Sequence, residues 1–171
     1  MNISQKKYIS HIIFQILLAT VLFFILIYFV GLRFKVTLAT IGATTFIIFI
    51  SPGSESARSR NVILGTIIGC IIGYIGWLFQ SDSHLFLALS YSIVIGVTAI
   101  LLVVFRCFHP PAAGYSLGIA FEGYNSRLII GLLIMIVVLV LVHEAFGYHL
   151  VNLIERKKVT KLNIRKKKHS L

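Results

Sequence analysis

Four stretches of this chain are long and almost uninterruptedly apolar: about Tyr8 to Gly31, Asn61 to Phe79, Leu85 to Phe105 and Leu128 to Val151. A helix needs about 20 such residues to cross the hydrocarbon core of a bilayer. Lipid offers no partner to backbone N–H and C=O groups, so each stretch must be a helix that satisfies its own backbone. The chain is therefore expected to be an all-α polytopic membrane helix bundle, one integral membrane domain over residues 1–151. Composition fits, with 58% of 171 residues hydrophobic and 12% charged. The formal charge of +11 comes largely from the end, where eight of the 16 Lys and Arg residues fall in "RKKVTKLNIRKKKHSL". That tail, residues 152–171, has no interleaved aromatics and directly follows a membrane helix, which points to anionic lipid and not to nucleic acid. The first apolar run is far longer than a signal-peptide core and lacks a small-residue cleavage site at its end, so it is expected to remain as an anchor.

Two further segments are shorter and richer in small and hydroxyl residues: "VTLATIGATTFIIFI", Val36 to Ile50, and "PPAAGYSLGIAF", Pro110 to Phe121. Each is marginal for a crossing, and so is either a short tilted span or a broken helix dipping into the bilayer under protein cover. Each precedes a loop ending in Ser-Arg and then a long helix, at "SRNVILG" and "SRLIIG". The order suggests a duplicated three-element repeat, about 8–79 and 85–151. Lys6, Lys7 and the basic tail place both termini on the cytoplasmic side, which demands an even number of crossings. Six crossings keep Arg58, Arg60 and Arg106 inside and leave Arg33, Lys35 and Arg127 outside; four would put all six outside. Six is preferred, and three crossings per repeat make the repeats inverted, a common plan for transporters.

The stretch "RCFHPPAAGYSLGIAFEG" interrupts the apolar pattern. Proline suits the first helical position, so His109-Pro110-Pro111 reads as the start of a short helix through Ala112. First-turn N–H groups lack intrahelical partners and the dipole adds positive potential, so a helix start inside the membrane favours an anion. His109 beside it can donate to an anion or take a proton. The plainer reading is that the prolines end one helix and begin another, with His109 at the water interface. Arg106 and, in the matching loop, Arg60 are the arginines expected to contact substrate through their planar forks. Gly42, Thr44, Ala112 and Gly114 permit close approach of the two short helices, as Gly65, Gly69, Gly73 and Gly76 do on one helix face. Glu122 is placed to pair with Arg127. Cys70 and Cys107 read as packing residues. "HEAFGYH" is not a zinc site, because His143 and His149 are six apart.

With these residues in view, the chain resembles the HPP family of small integral membrane proteins, named for the triplet standing at His109 to Pro111. The likeness covers Thr37 to His143. Its second marker is "GATTFIIFISPGSESARSRNVILG", with Gly42, Ala43, Thr44, Ser51, Pro52, Arg60, Asn61 and Gly65. The resemblance implies a transporter with four transmembrane helices, nitrite being carried across plastid or cyanobacterial membranes by some members. Two departures bear on substrate: Tyr115 stands in the small-residue run after the triplet, and Thr66 replaces a histidine.

The expected function is a transporter or channel for a small inorganic anion, nitrite by family resemblance. The candidate substrate-binding residues are His109, Pro110, Pro111, Ala112, Arg106, Gly42, Thr44 and Arg60. No cofactor, metal or nucleotide motif is present, and no nucleophile with a base can be assembled, so no enzyme is expected. So few helices enclose a pore poorly, and a homo-oligomer in the cell membrane follows. The alternative is a non-transporting membrane partner that regulates a larger complex through its Gly-rich faces.

Overall fold

A computed structural model describes residues 3–30 and 35–146. Arg33, residues 147–151 and the basic tail lie outside the described residues, as do the side chains of Lys6 and Lys7. The described residues form six α-helices and one 3-10 turn: α1 (Ile3–Val30), α2 (Lys35–Ile50), the turn Glu55–Ala57, α3 (Ser59–Trp77), α4 (His84–Val104), α5 (Pro111–Glu122) and α6 (Ser126–Phe146). Among them α3, α4 and α6 are long and apolar enough to cross a bilayer. The first expected long segment is α1, 28 residues in all, whose described apolar stretch, Ile12–Ile25, is shorter. The two short segments are continuous helices, α2 and α5, and neither is broken.

Contacts between helices give their directions. Along α3, Gly65 faces His109, Gly69 faces Ala112 and Tyr115, Gly73 faces Ser116 and Ile119, and Gly76 faces Ala120. Both chains ascend together, so α3 and α5 are parallel. Gly114 meets Thr40 and Gly118 meets Thr37, so α2 runs against α5. Gln15 donates to the Phe49 carbonyl and Gly42 meets Phe23, so α1 runs against α2. Phe14 packs on Phe146, which returns α6 to the end where α1 begins. Direction thus reverses at every helix. One end of the bundle gathers the α2–α3 and α4–α5 links, joined where the His109 ring meets the Ser56 carbonyl. The opposite end gathers the α3–α4 and α5–α6 links, where Tyr74, Trp77 and Tyr124 pack as a ring cluster. Such amphipathic rings favour the membrane–water boundary.

Helix α5 is the hub, enclosed by α3, α2 and α4. Its 12 residues rise only about 18 Å, against about 30 Å of hydrocarbon. Because His109, two residues before α5, lies level with Gly65, the chain enters α5 from about 9 Å deeper than the first residue of α3. The non-helical run Phe105–Pro110 supplies the missing length. Within that run Cys107 and His109 are buried, whereas Phe105, Arg106, Phe108 and Pro110 stay exposed.

Between membrane helices there is little hydrophobic drive, so close packing must hold them together. The glycine face of α3 provides it. A methyl group at Gly69 would stand 2.5 Å from the Ala112 carbonyl oxygen, and one at Gly73 2.7 Å from that of Ser116. Helix α4, by contrast, fully buries only Val94 and Thr98 and turns most of its remaining apolar surface outward.

Replacing Gly69 by Val is expected to cost about 1–3 kcal/mol through overpacking, read as a lower unfolding temperature in detergent. Gly96→Ala, where no atom lies within 4 Å, should not lower it. Cysteines introduced at Asp82 and Ser126 should react with an impermeant thiol reagent from one face of the membrane, and one at Gly53 from the other. Labelling of all three from one face would contradict the alternating directions.

Candidate functional site

The link between α4 and α5 is built by a left-handed turn. Arg106 has φ 50°, a conformation that costs a side-chain-bearing residue about 1–2 kcal/mol. The Arg106 N–H donates to the Val103 carbonyl and the Cys107 N–H to that of Leu102, the pattern that ends a helix when the residue after its cap turns left-handed. Glycine is usual there, and here arginine takes the position. The turn sends Cys107 inward, where its thiol donates to the Asn61 carbonyl at 3.1 Å.

Two residues later His109 is fully buried. Its Nδ1 lies 3.1 Å from the Ser56 carbonyl oxygen. A carbonyl only accepts, so Nδ1 carries a proton. Nε2 has no hydrogen-bond partner. A buried polar nitrogen left unpaired costs about 1–3 kcal/mol. His109, Pro110 and Arg106 line a cavity of about 320 Å³ together with Glu55, Cys107 and the α4 residues Ala99, Leu102 and Val103. The walls are mainly apolar, with one guanidinium, one carboxylate and one imidazole among them.

The amides at the start of α5 are not free. Pro110 and Pro111 have no N–H. The Ala112 N–H donates to the His109 carbonyl at 3.0 Å and that of Ala113 to Pro110 at 3.2 Å. The first-turn donors are thus absent or engaged, and only the helix dipole and the side chains remain to meet an anion there.

The other sequence-derived residues sit elsewhere. Pro111 and Ala112 are buried in the contact with α3, Ala112 against Gly69. Gly42 faces Phe23 of α1 and not α5. Thr44 donates to the Thr40 carbonyl and therefore accepts from the Tyr115 hydroxyl, 2.7 Å away, in the sealed interface of the two short helices. Arg60 is exposed in the first turn of α3 and does not line the cavity. Arg106, His109 and Pro110 are thus brought together at the cavity; Arg60 lies outside its lining but next to Asn61, whose carbonyl holds Cys107, and Gly42 and Thr44 lie away on α2.

Glu122 does something the sequence did not suggest. Its hydrogen bonds run to α2, where Val36 N–H donates to Oε1 at 2.5 Å and Thr37 donates to Oε2 through N–H at 3.3 Å and Oγ1 at 2.7 Å. The expected pairing with Arg127 gives way because the unpaired N–H groups of a helix start make a stronger claim on a carboxylate than an exposed arginine does. The available signal was a glutamate directly after a short helix, with no mark of which helix it would meet. Glu55 of the 3-10 turn also lines the cavity.

No curated protein and no solved structure matches this chain. A model of the HPP transmembrane region matches residues 4–159. That match spans most of the chain and agrees with the apolar helices, and His109, Pro110 and Pro111 fall within it. This integral membrane protein belongs to the HPP family.

Proposed function

We propose that the protein passes a small inorganic anion, nitrite or one of similar size, across the membrane as a secondary transporter or channel, recognising it at the link into α5. The observation that carries this reading is the buried His109 Nε2, unpartnered beside a cavity that Arg106 also lines. The α5 dipole adds positive potential at that spot, and the guanidinium fork suits an oxyanion. Recognition falls to the side chains, since the amides are engaged.

The finer arrangement follows from the same geometry. Helices α1 to α3 and α4 to α6 run in opposite senses, which supports inverted repeats of three elements each, with α1 as a fourth long crossing. The repeats pack unequally, because α5 lies along α3 whereas α2 barely touches α6. Arg58, Arg60 and Arg106 share the end where α1 begins and α6 ends, while Lys35 and Arg127 lie at the other, which favours cytoplasmic termini. The basic tail would then meet anionic lipid of the cell membrane, and the outward face of α4 is available to a second copy. The partner-protein alternative loses ground, because the glycine face it needs is spent on α5.

Uptake into proteoliposomes tests the reading, with nitrite, nitrate and bicarbonate supplied in turn. The parent should take up at least one of them. His109→Ala should lower that uptake roughly tenfold or more, the worth of one hydrogen bond to a charged group. Arg106→Gly suits the left-handed backbone, so it should fold normally and slow uptake chiefly at low ionic strength. Normal uptake by both variants would remove the site assignment, and no flux in the parent would remove the transport reading.

A further inference from the structure

We infer that His109 binds the anion only together with a proton, so that each anion held at this site brings one proton with it. This rests on the transport reading above and names its coupling ion. The reasoning begins at Nδ1. That nitrogen faces the Ser56 carbonyl oxygen at 3.1 Å, and two lone pairs cannot face one another, so Nδ1 is the donor whether the ring is neutral or charged. In the neutral ring Nε2 must then present a lone pair. A lone pair repels an anion. Only when Nε2 takes up a proton does the ring offer a second donor, and it then carries a positive charge as well.

The surroundings make that second state costly when no anion is present. His109 is fully buried, its ring packed against Gly65, and Nε2 has no protein partner to stabilise an added proton. An imidazolium isolated from water is strongly disfavoured, and so is an anion in the same place; the two together largely cancel. Proton and anion therefore assist each other's binding, as linkage requires. Among the described residues, the charged and titratable groups around this end of the bundle are Glu55 in the 3-10 turn and Arg58 just after it, Arg60 on α3, Arg106 and Cys107 on the link, and His143 and Glu144 at the end of α6. None of them hydrogen-bonds to Nε2. Arg106 supplies fixed positive charge that attracts the anion at any pH, but it takes no proton in exchange.

The experiment measures binding of nitrate, which stays ionised through the range, and of nitrite, to the full chain in lipid nanodiscs. On the alkaline side of the ring's titration, apparent affinity should fall about tenfold for each pH unit, the slope of one linked proton. In weakly buffered solution, binding should withdraw about one proton per anion from the medium. His109→Gln places an N–H donor near Nε2 at every pH, so its binding should be weaker and flat with pH. Should that variant fail to fold, nitrogen-15 histidine spectra of the parent decide the matter. Of the six histidines, one ring should pass to the doubly protonated form on addition of nitrate at neutral pH.

Nitrate binding without proton uptake, an equal pH slope in the His109→Gln chain, or no change in any ring would overturn the inference and leave the transport reading standing. No binding of either anion to the parent would remove both.

Discussion

The close contact between α5 and the glycine face of α3 governs the rest of this bundle. In lipid, apolar side chains gain little by leaving one apolar medium for another, so the helices that meet most intimately set the arrangement. Gly69 and Gly73 let the backbone of α5 rest directly on α3, a separation that any side chain at either position would prevent. Once α5 is held there, α2 closes on its other side through Thr37 and Thr40 against Gly118 and Gly114. Of the hydroxyls on that face, Thr40 and Thr44 donate back to the carbonyls of Val36 and Thr40, while Thr37 donates to Glu122 and Thr44 accepts from Tyr115. Tyr115 then fills the interface to completion.

An enclosed short helix creates an electrostatic difficulty, since its ends leave polar groups far from water. The chain meets this with its own groups. Glu122 covers the start of α2, Asn125 accepts from the first amides of α6, and Ser59 at the start of α3 donates to Glu144. At α5 two prolines delete donors outright. The starts of α2 and α6 are thus capped and the first donors of α5 are deleted or engaged, against which the bare nitrogen of His109 stands out. The anion path proposed near that point would depend on side-chain chemistry and on the dipole of α5, not on exposed amides.

Much of the fold was legible because the bilayer imposes a simple rule on composition. Apolar length marked the helices within a few residues, Pro110-Pro111 marked the start of α5, and the spacing of Gly65, Gly69, Gly73 and Gly76 marked a packing face. Arg106 and His109 were legible as neighbours because one short link holds both. Gly42 was misassigned for an identifiable reason: in a helix that is apolar on every side, periodicity does not say which neighbour a small residue meets, and here it is Phe23 of α1. Glu122 was misassigned because its partner, the start of α2, lies some 85 positions away along the chain.

By itself the sequence determined that this chain must live in a membrane, where its helices fall, and which short link holds an imidazole beside a guanidinium, since these follow from transfer of apolar surface and from the backbone limits of proline. Only the tertiary structure decided that α5 lies parallel to α3, that the amides before it are engaged, and that one nitrogen of His109 is tied to Ser56 while the other is left bare. Those outcomes depend on contacts between segments distant in the chain, and such contacts are settled by which surfaces fit most closely.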